Sequence, residues 1–292
     1  MTELNGRIAL VTGGAAGIGR LLTLELARRG AIPVVWDLDE EGIASVVAEL
    51  GPLTGGRARG YRCDVRDRDA VGSVSDQVRA DLGDPGIVVN NAGIVSGAKL
   101  LDLPDEAIIR TFEVNVLGLF WVTRAFLPAM IGANRGHIVT VASAAGLVGV
   151  ARQTDYAASK HAAVGFNESL RVELHQSAPR VHTTVVCPYY IDTGMFEGVH
   201  TRIPSLLPIL KPQDVARRIA DAIAQDRAML VLPPIVRLLP VLRVLPPHVF
   251  DRVMDLFGVN ASMDHFVGHA TATTPCSDQP EPAPVDRNTE PP

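Results

Sequence analysis

Cysteine, aromatic residues and positive charge are all scarce in this chain. Its three cysteines, at positions 63, 187 and 276, lie far apart among 292 residues. Such spacing offers neither a disulfide framework nor a metal site. Cys63 and Cys187 end apolar runs and read as reduced strand-end residues of a cytoplasmic protein. A formal charge of −5 removes the electrostatic case for nucleic acid as a partner. The opening, MTELNGRIALVTGG, has no charged region leading into a long apolar run. Neither a signal peptide nor a membrane-spanning anchor is therefore expected. His137, His161, His175 and His182 show no ligand spacing, so no metal is expected. What the chain has in quantity is apolar side chain: 47% of residues against 20% charged, ample for a buried core.

For about the first 190 residues, short apolar runs alternate with amphipathic helical patterns. Strands are expected at 7–12, 32–36, 57–63, 87–90, 136–141 and 182–187. Helices are expected at 18–29, 40–50, 68–82, 105–130 and 155–176. This alternation predicts an α/β fold of three layers, with a doubly wound, largely parallel sheet between helices. IALVT, IVVNN and HIVTVAS are apolar almost throughout, as strands buried on both faces must be. No linker divides the chain before residue 265, so 1–270 is expected to be one domain. The end, 271–292, is rich in Pro, Thr and acid and is expected to be disordered.

The first strand runs directly into Thr12-Gly-Gly-Ala-Ala-Gly-Ile-Gly19, which opens a helix. Glycines there permit a tight turn and close approach of the backbone to a pyrophosphate. Gly13, Ala15, Gly17, Ile18 and Gly19 are the candidate contacts. The second strand ends at Asp37, 18 residues after Gly19. A carboxylate there accepts from ribose hydroxyls and repels a 2′-phosphate. Leu38 follows it and Ala16 precedes Gly17, so no Arg or Lys stands ready for that phosphate, and NAD is preferred over NADP. The other reading of Asp37 is an N-cap for the next helix. Asp64 and Val65 close the third strand, where the acid can meet the adenine amine. Asn91, Ala92 and Gly93 follow the fourth strand and let backbone pass close to the adenosine, although alone they are simply a turn.

Tyr156 and Lys160 are one helical step of four apart and so share a face. Ser143 precedes them in SAAGLVGVARQTDYAASK. A lysine cation near a phenol favours the phenolate and lowers its pKa, which makes the pair a candidate proton-handling site.

Together, TGGAAGIG, Asp37, Asp64, NNAG, Asn115, Ser143 and YAASK resemble the short-chain dehydrogenase/reductase family over roughly residues 5–200. The resemblance implies a single Rossmann-type domain of about seven strands and an NAD(P)-dependent oxidoreductase that interconverts alcohols and carbonyl compounds. It implies Tyr156 as general acid/base and Lys160 as its partner and holder of the nicotinamide ribose. It also implies Ser143 as anchor of the substrate oxygen and Asn115 as keeper of a water-linked proton relay. Pro188, Ile191 and Thr193 would grip the carboxamide. Asn115 has a second reading, as a polar residue serving a helix kink. One departure is Tyr189, where the family usually has glycine. A homodimer or homotetramer is also implied.

TGMFEGV, Lys211-Pro and GVNASMDHFVGH are similar to the branch of retinol and 17β-hydroxysteroid dehydrogenase-like enzymes. The substrate lid is expected at 189–210, with an apolar segment at 229–267. Candidate substrate contacts are Ser143, Val148, Gln153, Tyr189, Met195 and Phe196. A lipophilic small molecule is the expected substrate, and each buried CH₂ would contribute about 0.8 kcal/mol. Residues 229–250 carry five prolines and two arginines, which argues against a spanning helix. They could extend the substrate mouth, form a subunit interface, or make peripheral membrane contact. Two other functions stay open: an NAD-binding sensor or scaffold, and an NAD-dependent epimerase or dehydratase.

Overall fold

The computed structural model describes residues 1–264 and 266; the expected tail and the end of the expected domain lie outside them. Seven strands form one sheet in the order β3-β2-β1-β4-β5-β6-β7. They are β1 (Ile8–Thr12), β2 (Ile32–Asp37), β3 (Arg59–Arg62), β4 (Ile87–Asn90), β5 (Gly136–Val141), β6 (Val181–Pro188) and β7 (Met229–Leu232). Every neighbouring pair is parallel. The fold is thus the expected Rossmann-type α/β sandwich.

Alternate side chains of a strand point to opposite faces, and both faces here are covered. On one, Ala9 and Val11 meet Leu22 and Leu26 of α1 (Gly17–Arg28) and Ile219 and Ile223 of α7 (Pro212–Ala224). The same face carries α2 (Glu40–Thr54) over Val35. On the other, Leu10, Val34, Val88 and Ile138 pack against three helical runs. These are α3 (Arg68–Leu82), the run α4 (Asp105–Phe112) to α5 (Gly118–Gly132), and α6 (Thr154–Ser177). Trp36 and Phe126 are fully buried there, each contributing about 2–3 kcal/mol.

Three elements differ from the sequence expectation. The seventh strand is the start of the proline-rich apolar segment, whose next residues leave the sheet as a 3₁₀ turn at Pro234–Leu238. Helix α7, with Pro212 in its first turn, is additional. The helix expected at 105–130 is interrupted by a π turn at Glu113–Leu117. The whole stretch Asp105–Gly132 is long and apolar enough to cross a membrane by length and composition. In this fold it lies on the sheet and buries Val122, Phe126 and Met130. Short helices α8 (Leu239–Leu242) and α9 (Pro247–Leu256) complete the chain.

Strand order reverses between β1 and β4. Connections leaving these two strands diverge, and a crevice opens at their C-terminal ends, where such folds bind ligands. Both Gly13–Gly19 and Asn91–Gly93 stand at this crevice.

Candidate active site

The glycine loop is built for close approach. Gly13 and Gly17 have φ of 63° and 52°, the left-handed region that favours glycine. A Cβ on Gly19 would lie 2.0 Å from the Gly13 carbonyl oxygen, so no side chain fits. The loop is also laced to β4: Asn91 Nδ2 donates to the carbonyls of Thr12 (2.9 Å) and Gly13 (3.1 Å). Thr12 Oγ1 accepts from the N–H groups of Asn91 and Ala92. Helix α1 begins at this loop with no side-chain cap and no acid in its first turn. Its N-terminal N–H groups and dipole are left for an anion, which fits the pyrophosphate of a dinucleotide.

Asp37 lies further along the same cleft. Its Oδ2 accepts from Ala15 N–H at 3.0 Å and its Oδ1 from Leu38 N–H at 2.8 Å. The N-cap of α2 is Asp39, which accepts from Gly42 N–H; the capping alternative for Asp37 is therefore ruled out. Ala15 does not line the cleft. It is buried and aims its N–H at Asp37, while Ala16 takes the lining position. Asp64 and Val65 line the cleft as expected. Arg66 grips Asp64 with a two-pronged ion pair and holds its carboxyl below the usual range. Lys160 is the only basic side chain lining the cleft among the described residues.

At the inner end, Lys160 is 5% exposed and donates to the Val141 carbonyl at 3.0 Å. Its Nζ lies 5.6 Å from the centre of the Tyr156 ring. Tyr156 is equally buried, and the Ser143 hydroxyl faces the same space. The expected lowering of the phenol is not present in this state. Burial raises the Tyr156 pKa, with Ser143 acting in the opposite sense. Burial likewise brings Lys160 down to about 8. Both shifts favour the neutral forms, because desolvation penalises either charge.

Asn115 sits in the π turn and, contrary to its expected role, does not line the cofactor cleft. It brackets Ile94, accepting from its N–H and donating to its carbonyl, both at 2.9 Å, and also donates to Ser159 Oγ. It therefore fastens the loop after β4 to α6, and does not serve a kink in its own helix. A Cβ on Gly93 would be 3.3 Å from both Asn115 Oδ1 and Lys160 Nζ, so a side chain there would crowd both groups.

Pro188, Ile191 and Thr193 line the cleft. Tyr189 keeps β6 regular despite replacing glycine: its N–H donates to the Leu232 carbonyl at 2.7 Å, and its φ is negative. A second, almost wholly apolar cavity adjoins the cleft across Ser143, Tyr156, Tyr189 and Phe196. Val148 and Gln153 line it, whereas Met195, expected to face substrate, lines the cofactor cleft instead. The far wall adds Tyr190 and Leu207 from the expected lid and Met254 and Phe257 from the expected apolar segment, none of them singled out from the sequence as a substrate contact. Met254 lies on α9 and Phe257 caps its C-terminal end three residues on, a spacing that puts both on one face. Ile235, Val236, Leu239 and Leu242 bring the proline-rich segment into the same wall. The lid is a closed loop, with Leu210 N–H donating to Tyr190 and Asp192 N–H to Leu210. Ser262 straps it through Tyr190, and Asp264 ties the same C-terminal stretch to Arg152, just before α6.

The family model described as short chain dehydrogenase matches residues 7–203. The chain belongs to the short-chain dehydrogenase/reductase family. Members bind a nicotinamide dinucleotide and are oxidoreductases acting on CH–OH groups. The chain is similar to the Mus musculus protein named epidermal retinol dehydrogenase 2, at 42% identity over 92% of this chain and 87% of that one. Among solved structures, it resembles a short-chain dehydrogenase/reductase from Burkholderia phymatum in complex with NAD. The two share a TM-score of 0.75 and 29% identity, covering 87% of this chain and 97% of that one. A metagenomic short-chain oxidoreductase in complex with NADP gives a TM-score of 0.66 at 30% identity, covering 79% and 98% of the two chains. Relatives thus include both cofactor types, and this short-chain dehydrogenase/reductase sits in the retinol dehydrogenase-like branch.

Proposed function

We propose that the chain transfers hydride between NAD(H) and a lipophilic alcohol/carbonyl pair, of retinoid, steroid or fatty-alcohol type. The observation that carries this reading is the wall shared by the cleft and the apolar cavity, where Ser143 and Tyr156 face both. Asp37, and the absence of a lining Arg among the described residues, support NAD over NADP. The bound nicotinamide supplies the hydride acceptor or donor.

The protein's own part is proton handling and placement. Ser143 holds the substrate oxygen, and Tyr156 takes the hydroxyl proton as hydride leaves the carbinol carbon and the C=O bond forms. In reduction the neutral phenol returns that proton. Burial already favours the phenol, and the Lys160 ammonium offsets this when the phenolate is needed. Asn115 fixes the loop and helix that carry these groups. Intact Ser143, Tyr156 and Lys160 disfavour a scaffold role, and the cavity wall disfavours a nucleotide-sugar epimerase.

Leu238, Val241, Val244 and Leu245 are exposed beside the cavity wall, and residues 234–250 contain Arg237 and Arg243 but no acid. This supports peripheral membrane contact there. Ile109, Leu117, Phe120 and Val172 are exposed as well, apolar surface of the kind that a homodimer or homotetramer would cover. The decisive test is NADH production from retinol, steroid alcohols and medium-chain alcohols. Turnover of none, with NAD still bound, would sink the dehydrogenase reading. Tyr156→Phe should reduce turnover by about a thousandfold or more while leaving NAD affinity nearly intact; wild-type activity in this variant refutes the assigned role.

A further inference from the structure

Gln153 is the one cavity-lining side chain, among the described residues, with a buried polar atom that makes no hydrogen bond. It is 1% exposed, and the unbonded atom is its amide nitrogen. Native proteins rarely leave such a donor unmet. Tyr190 lies beside the amide and its pKa feels it, but the Tyr190 hydroxyl is already bonded to Ser262 Oγ at 2.8 Å. An amide nitrogen carries two N–H groups, so at least one remains for a ligand.

Its setting is specific. Gln153 is the N-cap of α6, and Tyr156 lies one turn on, so their side chains are neighbours. Arg152 just before it has φ of 61°, strained for a non-glycine residue. An ion pair to Asp264 at 3.1 Å pins it. Ser143 and Tyr156 are committed to the reacting oxygen, and the rest of the wall is almost entirely apolar. A lipid chain with a single hydroxyl would leave the Gln153 amide unanswered.

We propose that Gln153 is a specificity residue that receives a second oxygen of the substrate, a hydroxyl or carbonyl. Three residues, a rise of about 4.5 Å along a helix, separate it from Tyr156. That oxygen is expected on a carbon near the reacting carbinol, the adjacent one in the simplest case. The inference rests on reading the chain as an alcohol oxidoreductase.

The test uses the full chain with NAD and three substrates of equal chain length: a medium-chain secondary alcohol, its vicinal diol and its α-hydroxy ketone. Wild type should favour the diol or the hydroxy ketone, or both, by about tenfold in kcat/KM. Preference for the ketone alone assigns a carbonyl; preference extending to the diol admits a hydroxyl. Gln153→Leu and Gln153→Met should each bring the ratio near one. Equal kcat/KM for all three in wild type overturns the inference while leaving the dehydrogenase reading intact. So does a preference that survives both substitutions. Lowered melting temperature with the preference unchanged makes Gln153 a brace for Tyr190, which also overturns it. No turnover of any substrate sinks the oxidoreductase reading, and the inference with it.

Discussion

Replacing Lys160 with methionine should stabilise the protein while inactivating it. The ammonium is buried, and burial brings its pKa from 10.5 to about 8. Such a fall corresponds to about 3 kcal/mol by which the buried cation destabilises the folded state. Methionine fills similar volume without charge. It leaves the Val141 carbonyl without its 3.0 Å donor, which costs about 1 kcal/mol. A net gain of about 2 kcal/mol is expected at pH 7, where the lysine is charged in both folded and unfolded chains. Between pH 8 and 10.5 the folded protein gives up the proton while the unfolded chain keeps it. Wild type then gains stability with rising pH, and the advantage of the variant disappears by the upper limit. Urea titrations of both proteins at pH 7, 8.5 and 10 would follow this, with kcat measured alongside and expected to fall about a hundredfold or more. A variant less stable than wild type at pH 7, or a difference constant with pH, refutes the reasoning.

Other expectations can be checked more briefly. Gly19→Ala puts a methyl group 2.0 Å from the Gly13 carbonyl; it should weaken NADH binding by about a hundredfold, seen by fluorescence titration, because the clash is with backbone. Asp37→Asn keeps an acceptor for Ala15 N–H and removes the charge, so the NADP-to-NAD ratio of kcat/KM should rise by about tenfold or more. Changing Leu238, Val241 and Val244 to serine together should abolish co-sedimentation with anionic phospholipid vesicles while the fold persists, since all three are exposed. Wild type that ignores vesicles would remove membrane contact from the proposal.

Strand–helix alternation carried most of the architecture because each buried strand is apolar and each helix has one apolar face. The glycine loop and the Tyr156–Lys160 pair were legible because their spacing is dictated by backbone geometry. Strand β7 was not, since MLVL followed by two prolines does not distinguish a sheet edge from any other apolar run. The roles of Asn91 and Ala15 were hidden for another reason: one braces Gly13 and the other braces Asp37 across 78 and 22 residues, contacts no local pattern encodes. The direction of the Tyr156 shift was misjudged from spacing alone, because burial depends on the packing of α6 and the lid.

The division of the cavity wall has a consequence for how such an enzyme can change. Ser143, Tyr156, Tyr189 and Phe196 serve both compartments, so altering them disturbs redox chemistry and recognition at once. The outer wall, from Ile235 to Phe257, touches no part of the cofactor cleft. That stretch is modular: chimeras exchanging it with relatives should trade substrate range while inheriting an intact hydride-transfer core.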